Sequence, residues 1–343
     1  MTGVLRRIAL AGIVVAVAVA VGLAGWSYSA LNRPYAGWEG EAVDVELTPG
    51  LSARKMLARL AGAGVLRHPK LLRRWLSLQG GGGSLHAGEY RFERPITPLE
   101  LLERLERGEV LLHPVTVPEG LDLVVIASRF VAEGFGPREE LLEAFRDPAP
   151  ILDLDADATD LEGYLFPETY SFPRGAPAAT IATTMVQRFR DTVGEEFAAR
   201  AQAAGLSLRQ AVTLASMIER ETSASDERGR ISRVFHNRLQ KRMRLQCDPT
   251  VIYALTRAGR EVNRLTYEDL EFDSPWNTYV VYGLPPGPIA NPGKASLDAA
   301  VEPIAGRDLY FVAARDGGHE FSTTLEAHLR AVADWRAYLR SSR

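Results

Sequence analysis

Two stretches decide how this chain is read: VDVELTPGLSARKMLARLAGAGV, starting at Val43, and HPVTVPEGLDLVVIASRFVAEGF, starting at His113. At a constant offset of 70, Gly50 matches Gly120, Leu51 matches Leu121, Leu60 matches Phe130 and Gly64 matches Gly134. Each copy opens on a short β-type run, passes a turn containing Pro and Gly, and continues with apolar residues at helical spacing up to a glycine. That order predicts a strand, a turn and an amphipathic helix. The echo continues in GEYRF (Gly88–Phe92) and EGYLF (Glu162–Phe166), now at an offset of 74. Each unit is therefore expected to run strand, helix, further helix and closing strand. The first extends from about Val43 to Pro95 and the second from about His113 to Pro167, giving two βαβ-like units. QGGGGS (Gln79–Ser84) reads as a flexible loop within the first. A segment rich in Asp and Ala, Leu152 to Asp160, interrupts the second.

Upstream of the repeat, Ile8 to Leu31 is a run of 24 residues without a charge. As a helix rising about 1.5 Å per residue it is long enough to cross a hydrocarbon layer of about 30 Å. Arg6 and Arg7 precede it, and Trp26 and Tyr28 lie near its far end. Positive charge before the span predicts a cytoplasmic N-terminus, and the aromatic pair suits the outer interface. A cleaved signal peptide is the competing reading. The run is long for one, and the small residues that suit cleavage are embedded in it, so an uncleaved anchor is preferred. The plan is then a cytoplasmic tail (1–7), an anchor (8–31), a linker (32–42), a first module (43–112), a second repeat-like unit (113–177) and a final domain (178–343).

From Ala178 onward the pattern is strongly helical. Helices are expected over Ala178–Val193, Glu195–Ala204, Ser207–Thr222, Arg230–Lys241 and Pro249–Ala258. Ser207 and Gln210 form a capping-box signature at the start of the third. Ser274 to Gly293 is irregular and rich in Pro and Gly, and the chain closes with a strand (Asp308–Ala313), a short strand and a helix from about Thr324 to Ser341. The fold class expected is α+β. Of the 343 residues, 46% are hydrophobic and 24% charged, which suits two or three domains with real cores. A net charge of −3 argues against nucleic-acid binding. The lone Cys247 excludes a disulfide within the chain and reads as a small core residue.

In the helix SLRQAVTLASMIERET, Arg209, Thr213, Ser216 and Arg220 share one face, which is expected to be solvated. Ile218 points the other way. Glu219 and Glu221 lie on the two flanks, about 200° apart, and cannot pair with each other. Each borders apolar surface, where burial favours a protonated carboxyl of the kind a general acid needs. Helical geometry does not choose between them, and two ordinary ion-paired glutamates would give the same pattern.

The second informative stretch is SPWNTYVVYGLPPGPIANPGKAS, with Asn277, Thr278, Tyr279 and Asn291. Its amide, hydroxyl and aromatic groups suit sugar binding, and a proline-stiffened surface loop is the plainer alternative. GPIANPGKAS is not a phosphate loop: five residues separate Gly287 from Gly293, and no Ser or Thr directly follows Lys294. His319-Glu320 lacks the second histidine of a zinc helix, no Cys/His cluster suggests a metal, and no G-x-S-x-G elbow is present. No cofactor is called for. His236 reads as structural.

The motifs VPEG (Val117–Gly120), EGYLFPETY (Glu162–Tyr170), LASMIERET (Leu214–Thr222), VFHNRL (Val234–Leu239), LQCDPTVIYAL (Leu245–Leu255), SPWNTYVVYGLPPGPIANPG (Ser274–Gly293) and GGHEFSTTLEAH (Gly317–His328) occur in that order. Together they resemble the MltG/YceG-like endolytic murein transglycosylases over nearly the whole chain after the anchor. The resemblance implies an inner-membrane anchor, a LysM-like module and a mixed, mainly helical catalytic domain outside the cytoplasm. It also implies that Glu219 is the catalytic glutamate, with Glu221 a motif residue of less defined role. Trp276 stands where relatives often carry tyrosine.

On that resemblance, Glu219 would protonate the oxygen linking MurNAc to GlcNAc, through an oxocarbenium-like state. The same carboxylate would then deprotonate the MurNAc C6 hydroxyl, which closes a 1,6-anhydro ring without water. Glu221, Gln246, Asn277, Tyr279 and Asn291 are the candidate substrate contacts. The partners implied are peptidoglycan glycan strands and the penicillin-binding proteins that synthesise them. Two rival readings stand beside this one: a hydrolytic muramidase using Glu221 or Asp248 as second carboxylate, and a non-catalytic peptidoglycan-binding scaffold.

Overall fold

The computed structural model describes residues 2–79, 85–222, 224–315 and 317–341. Most of the QGGGGS loop expected at Gln79–Ser84 lies outside the described residues. The chain divides into two compact units, Met1–His113 and Pro114–Arg343. The class is α+β and mostly helical, with three two-stranded sheets among the described residues.

The first unit opens with α1 (Thr2–Asn32), whose Leu5–Asn32 part is 28 residues of apolar helix, long enough to cross a membrane. Then follow β1 (Val43–Leu47), α2 (Ala53–Gly62), α3 (Pro69–Leu78), β2 (Gly88–Phe92) and α4 (Pro98–Arg107). β1 and β2 pair antiparallel from Val43↔Phe92 to Leu47↔Gly88. The arrangement is thus β-α-α-β with adjacent antiparallel strands, not the parallel crossover that "βαβ-like" implies. Val45, Leu47, Tyr90 and Phe92 turn inward against Leu57, Leu60, Leu72 and Leu101, and Leu31 of α1 joins the same core.

The second unit takes up β3 (Leu112–Thr116), α5 (Leu123–Ala132), α6 (Arg138–Arg146) and β4 (Thr169–Pro173), with β3 paired to β4. The repeat is visible in its backbone. Gly50 and Gly120 take φ of +82° and +77°, and Gly64 and Gly134 take +78° and +80°. These left-handed values belong to glycine. The helix ends match too: Val65 N–H donates to Leu60 O, and Phe135 N–H to Phe130 O.

The second closing strand is not Glu162–Phe166, as the sequence echo suggested, but Thr169–Pro173. The counterpart of Tyr90 is Tyr170: each phenol donates to the carbonyl four residues earlier, His86 and Phe166 respectively. Thr-Tyr-Ser-Phe supplies the period-2 alternation that a ladder requires, with Tyr170 and Phe172 inward. Glu162–Phe166 is instead a buried turn held by side chains. The Leu165 N–H donates to Asn291 Oδ1, and the Tyr164 phenol donates to Asp155.

The remaining elements are α7 (Ala178–Val193), α8 (Glu196–Ala203), α9 (Leu208–Glu221), α10 (Arg228–Gln240), α11 (Asp248–Arg257), α12 (Lys294–Val301), β5 (Tyr310–Ala313), β6 (His319–Ser322) and α13 (Leu325–Ser341). α9 is the central helix, packed against α8, α10, α11 and α12. Its capping box forms as read: Gln210 N–H donates to Ser207 Oγ, and Ser207 N–H donates to the Gln210 side chain.

The expectation of a solvated face on α9 is overturned. Every residue from Ala211 to Ile218 is buried, including Thr213 and Ser216. The polar row Arg209–Thr213–Ser216–Arg220 is a hydrogen-bonding seam. Arg209 donates to Pro286 O and pairs with buried Asp155, Ser216 Oγ accepts from Ile289 N–H, and Arg220 donates to Gly120 O. Polar side chains on a buried face are stable because each finds a partner. Those partners lie in three segments distant in sequence, around Gly120, Asp155 and Pro286–Ile289, and are invisible to a helical wheel.

Candidate active site

Three segments meet at the C-terminal end of α9, and Asn291 joins them. Its amide Nδ2 donates to Leu121 O and to Glu162 Oε1, while Oδ1 accepts from Leu165 N–H. Its backbone N–H donates to Leu121 O, and its carbonyl accepts from Gly120 N–H. The VPEG turn, the EGYLF turn and the end of the proline-rich loop are thereby locked together. Glu162 is itself buried and receives Leu123 N–H at both oxygens. Burial, reinforced by the negative charge of Asp122, pushes its carboxyl well above the ordinary carboxylate range.

This clamp delivers Glu119 and Gly293 to Glu219. The side chain of Glu219 is 6% exposed. Its Oε2 accepts from Gly293 N–H at 3.0 Å, and its Oε1 lies 3.3 Å from Arg228 Nη2. The same Arg228 nitrogen lies 3.6 Å from Glu119, whose side chain is 48% exposed. Arg228 Nε donates to Ser296 Oγ, which fixes the guanidinium. Burial and the neighbouring charge of Glu219 raise the Glu119 pKa, against the opposing pull of Arg228. A Cβ at position 293 would overlap the Glu119 carboxylate. Gly293 has φ of −77°, so glycine is required there for space and not for backbone conformation.

Glu221 sits in different surroundings. Its carboxyl is buried beside Cys247, and its pKa is pushed up to about 7, chiefly by burial. Cys247 is buried, and its thiol pKa lies well above the usual value, again mainly through burial. Arg238, buried nearby, donates to Leu245 O and Leu309 O. The turn at 246–248 is tied to the turn at 277–279: Gln246 N–H donates to Thr278 O, and Cys247 N–H to Thr278 Oγ1. Tyr279 donates its phenol proton to Asp248 at 2.6 Å.

The residues singled out from sequence therefore fall into two groups. Glu221, Gln246 and Tyr279 are brought together around Cys247 and Asp248, with Gln246 exposed and Tyr279 partly so. Asn277 and Asn291 have no exposed surface. Asn277 uses its amide on Leu270 O, Phe272 O and Tyr279 N–H, so neither asparagine offers a free group to a sugar. Glu119, Arg228 and Gly293 were missed. The repeat held a signal for the first: at the offset of 70, Glu119 replaces Pro49 of the earlier copy. Arg228 had none, being one arginine among several in DERGRISR. His236, read as structural, bonds Ala300 O.

A covered carboxylate gripped by a guanidinium and a backbone N–H, with a second carboxylate alongside, is the candidate site. The comparisons with known proteins identify the family. A profile of the YceG-like family matches residues 45–334, and the chain belongs to that family. It is 32% identical to an endolytic murein transglycosylase of Bacillus subtilis, over 84% of this chain and 83% of that protein. It is 26% identical to an endolytic murein transglycosylase of Streptococcus pneumoniae, over 85% of this chain and 58% of the relative. A crystal structure of a YceG-like protein from Listeria monocytogenes superposes with a TM-score of 0.59 at 32% identity, covering 84% of this chain and 98% of that one.

Proposed function

We propose that this protein is an endolytic murein transglycosylase, a lyase that cuts MurNAc–GlcNAc bonds within peptidoglycan strands, with Glu219 as its acid and then its base. The observation that carries the reading is the setting of Glu219. It is covered, anchored at both oxygens and close to the partly exposed Glu119. Glu219 gives its proton to the glycosidic oxygen as the bond to C1 breaks. Positive charge grows on the sugar ring, and the Glu119 carboxylate stabilises it electrostatically. The Glu219 carboxylate then takes the C6 hydroxyl proton, and the C6 oxygen attacks C1 to close the anhydro ring. Arg228 and the Gly293 N–H hold the carboxylate in place through both steps.

Gln246 and Tyr279 reach the surface and are assigned to substrate contact. Asn277, Asn291 and Glu221 are assigned to holding the loops around the site. The first β-α-α-β unit is assigned as a LysM-like glycan-binding module (43–112). The second repeat-like unit (113–177) leads into the catalytic domain (178–343). α1 is assigned as a single-pass anchor in the inner membrane with the N-terminus in the cytoplasm, which puts the site among nascent strands and their penicillin-binding synthases.

The test is digestion of uncrosslinked glycan strands by the full chain in detergent, with mass analysis of the new ends. Anhydro ends are expected, and Glu219→Gln should abolish them while glycan binding and the fold persist. Ends heavier by the mass of water would mean hydrolysis, and full activity of Glu219→Gln would mean that another group supplies the proton.

A further inference from the structure

The net charge of −3 conceals a segment of opposite character. Between Glu46 and Glu89 there is no acidic residue, while Arg54, Lys55, Arg59, Arg67, Lys70, Arg73 and Arg74 are all present. In α3 the apolar side faces inward, with Leu72 and Leu76 buried. Lys70, Arg73 and Arg74 fall on the other side, and all three are exposed. No ion pair involves any of them among the described residues. Leu78, four residues after Arg74, is 82% exposed on the same side.

The position of α3 follows from its contacts with α1. The Trp26 and His68 rings meet edge to face at 5.4 Å, and His68 is the residue immediately before α3. Arg67 lies over the ring of Tyr35, three residues past the end of α1. A span beginning at Ile8 uses about 20 residues to cross the hydrocarbon layer, which brings Trp26 to the outer boundary. His68 is then at headgroup depth, and the basic residues of α3 begin two positions later.

We infer that α3 is a docking face for anionic phospholipid headgroups, with Lys70, Arg73 and Arg74 as the charge contacts and Leu78 as a shallow apolar contact. Clustered basic residues next to a membrane span are drawn to anionic lipid, and an exposed leucine among them adds interfacial affinity. The docking face would hold the first unit against the bilayer beside its anchor. This inference rests on the assignment of α1 as an anchor.

The test uses the full chain in nanodiscs of zwitterionic lipid, alone or mixed with phosphatidylglycerol. A fluorophore is placed at position 77 through Ser77→Cys, since the native Cys247 is buried. Quenching by headgroup-labelled lipid should be stronger in the anionic discs and fade as salt is raised. Removing each charge with Lys70→Gln, Arg73→Gln or Arg74→Gln should weaken docking about fivefold. Equal quenching in both lipids, or indifference to all three substitutions, would overturn the docking face while leaving the anchor intact. Charge-dependent protection of the label that appears only on adding glycan strands would assign the face to glycan and overturn the lipid reading. A chain that enters neither disc would overturn the anchor and the docking face together.

Discussion

Gly293 donates its backbone N–H to Oε2 of Glu219 at 3.0 Å, across 74 residues of chain, while its bare Cα makes room for the carboxylate of Glu119. One glycine thus sets the spacing between the two acidic groups. The consequences can be measured.

Gly293→Ala should displace Glu119, because the new methyl overlaps its carboxylate. A shift of about 1 Å at a reacting group can lower a rate by about 10²-fold. The expected result is a fall in turnover of that order, with circular dichroism and thermal midpoint little changed. Unaltered turnover would show that the spacing is not critical.

Glu119→Gln keeps the shape and removes the charge. If Glu119 stabilises the positive charge developing on the sugar, kcat should drop by about 10²-fold with KM nearly constant. Activity of the native chain should also fall as pH drops through the raised pKa of Glu119, and the variant should lose that limb of the profile. A profile unchanged by the substitution would reduce Glu119 to a packing role.

Glu221 predicts a pH dependence of stability. Its pKa rises from 4.5 to about 7 on folding, mainly through burial. The stabilisation of its neutral form is complete below the unfolded value and is lost as pH rises through the folded one. Native stability should therefore fall by up to about 3 kcal/mol between those values relative to Glu221→Gln, which cannot ionise. Urea unfolding of both chains at several pH values checks this, and parallel curves would contradict it.

Asn291→Ala strips hydrogen-bond partners from Leu121 O, Leu165 N–H and buried Glu162. Losing these three buried bonds, with Leu165 N–H left unpaired while Leu121 O and Glu162 keep their other donors, should destabilise the second unit by about 3 kcal/mol. Because the clamp places the VPEG turn, activity should fall even at temperatures where the variant stays folded. Stability within about 0.5 kcal/mol of the native chain would show that other contacts suffice.

Much of this protein was legible as local pattern. The spacing of apolar residues, the turn glycines and the Ser207–Gln210 cap each act within about a dozen residues, so the repeat, the helices and the apolar span could be read from neighbours along the chain. The motif order likewise pointed to Glu219 through family resemblance, although helical geometry alone left it level with Glu221. What tertiary structure decided was the environment of each side chain. It turned the polar row of α9 into a buried seam, moved the second closing strand to Thr169–Pro173, and sent Glu221 to Cys247 while Glu219 met Arg228, Gly293 and Glu119. The reason is physical: charge, burial and hydrogen bonding depend on what lies across space. Glu119, which shares the Arg228 guanidinium with Glu219, is 100 residues away in sequence.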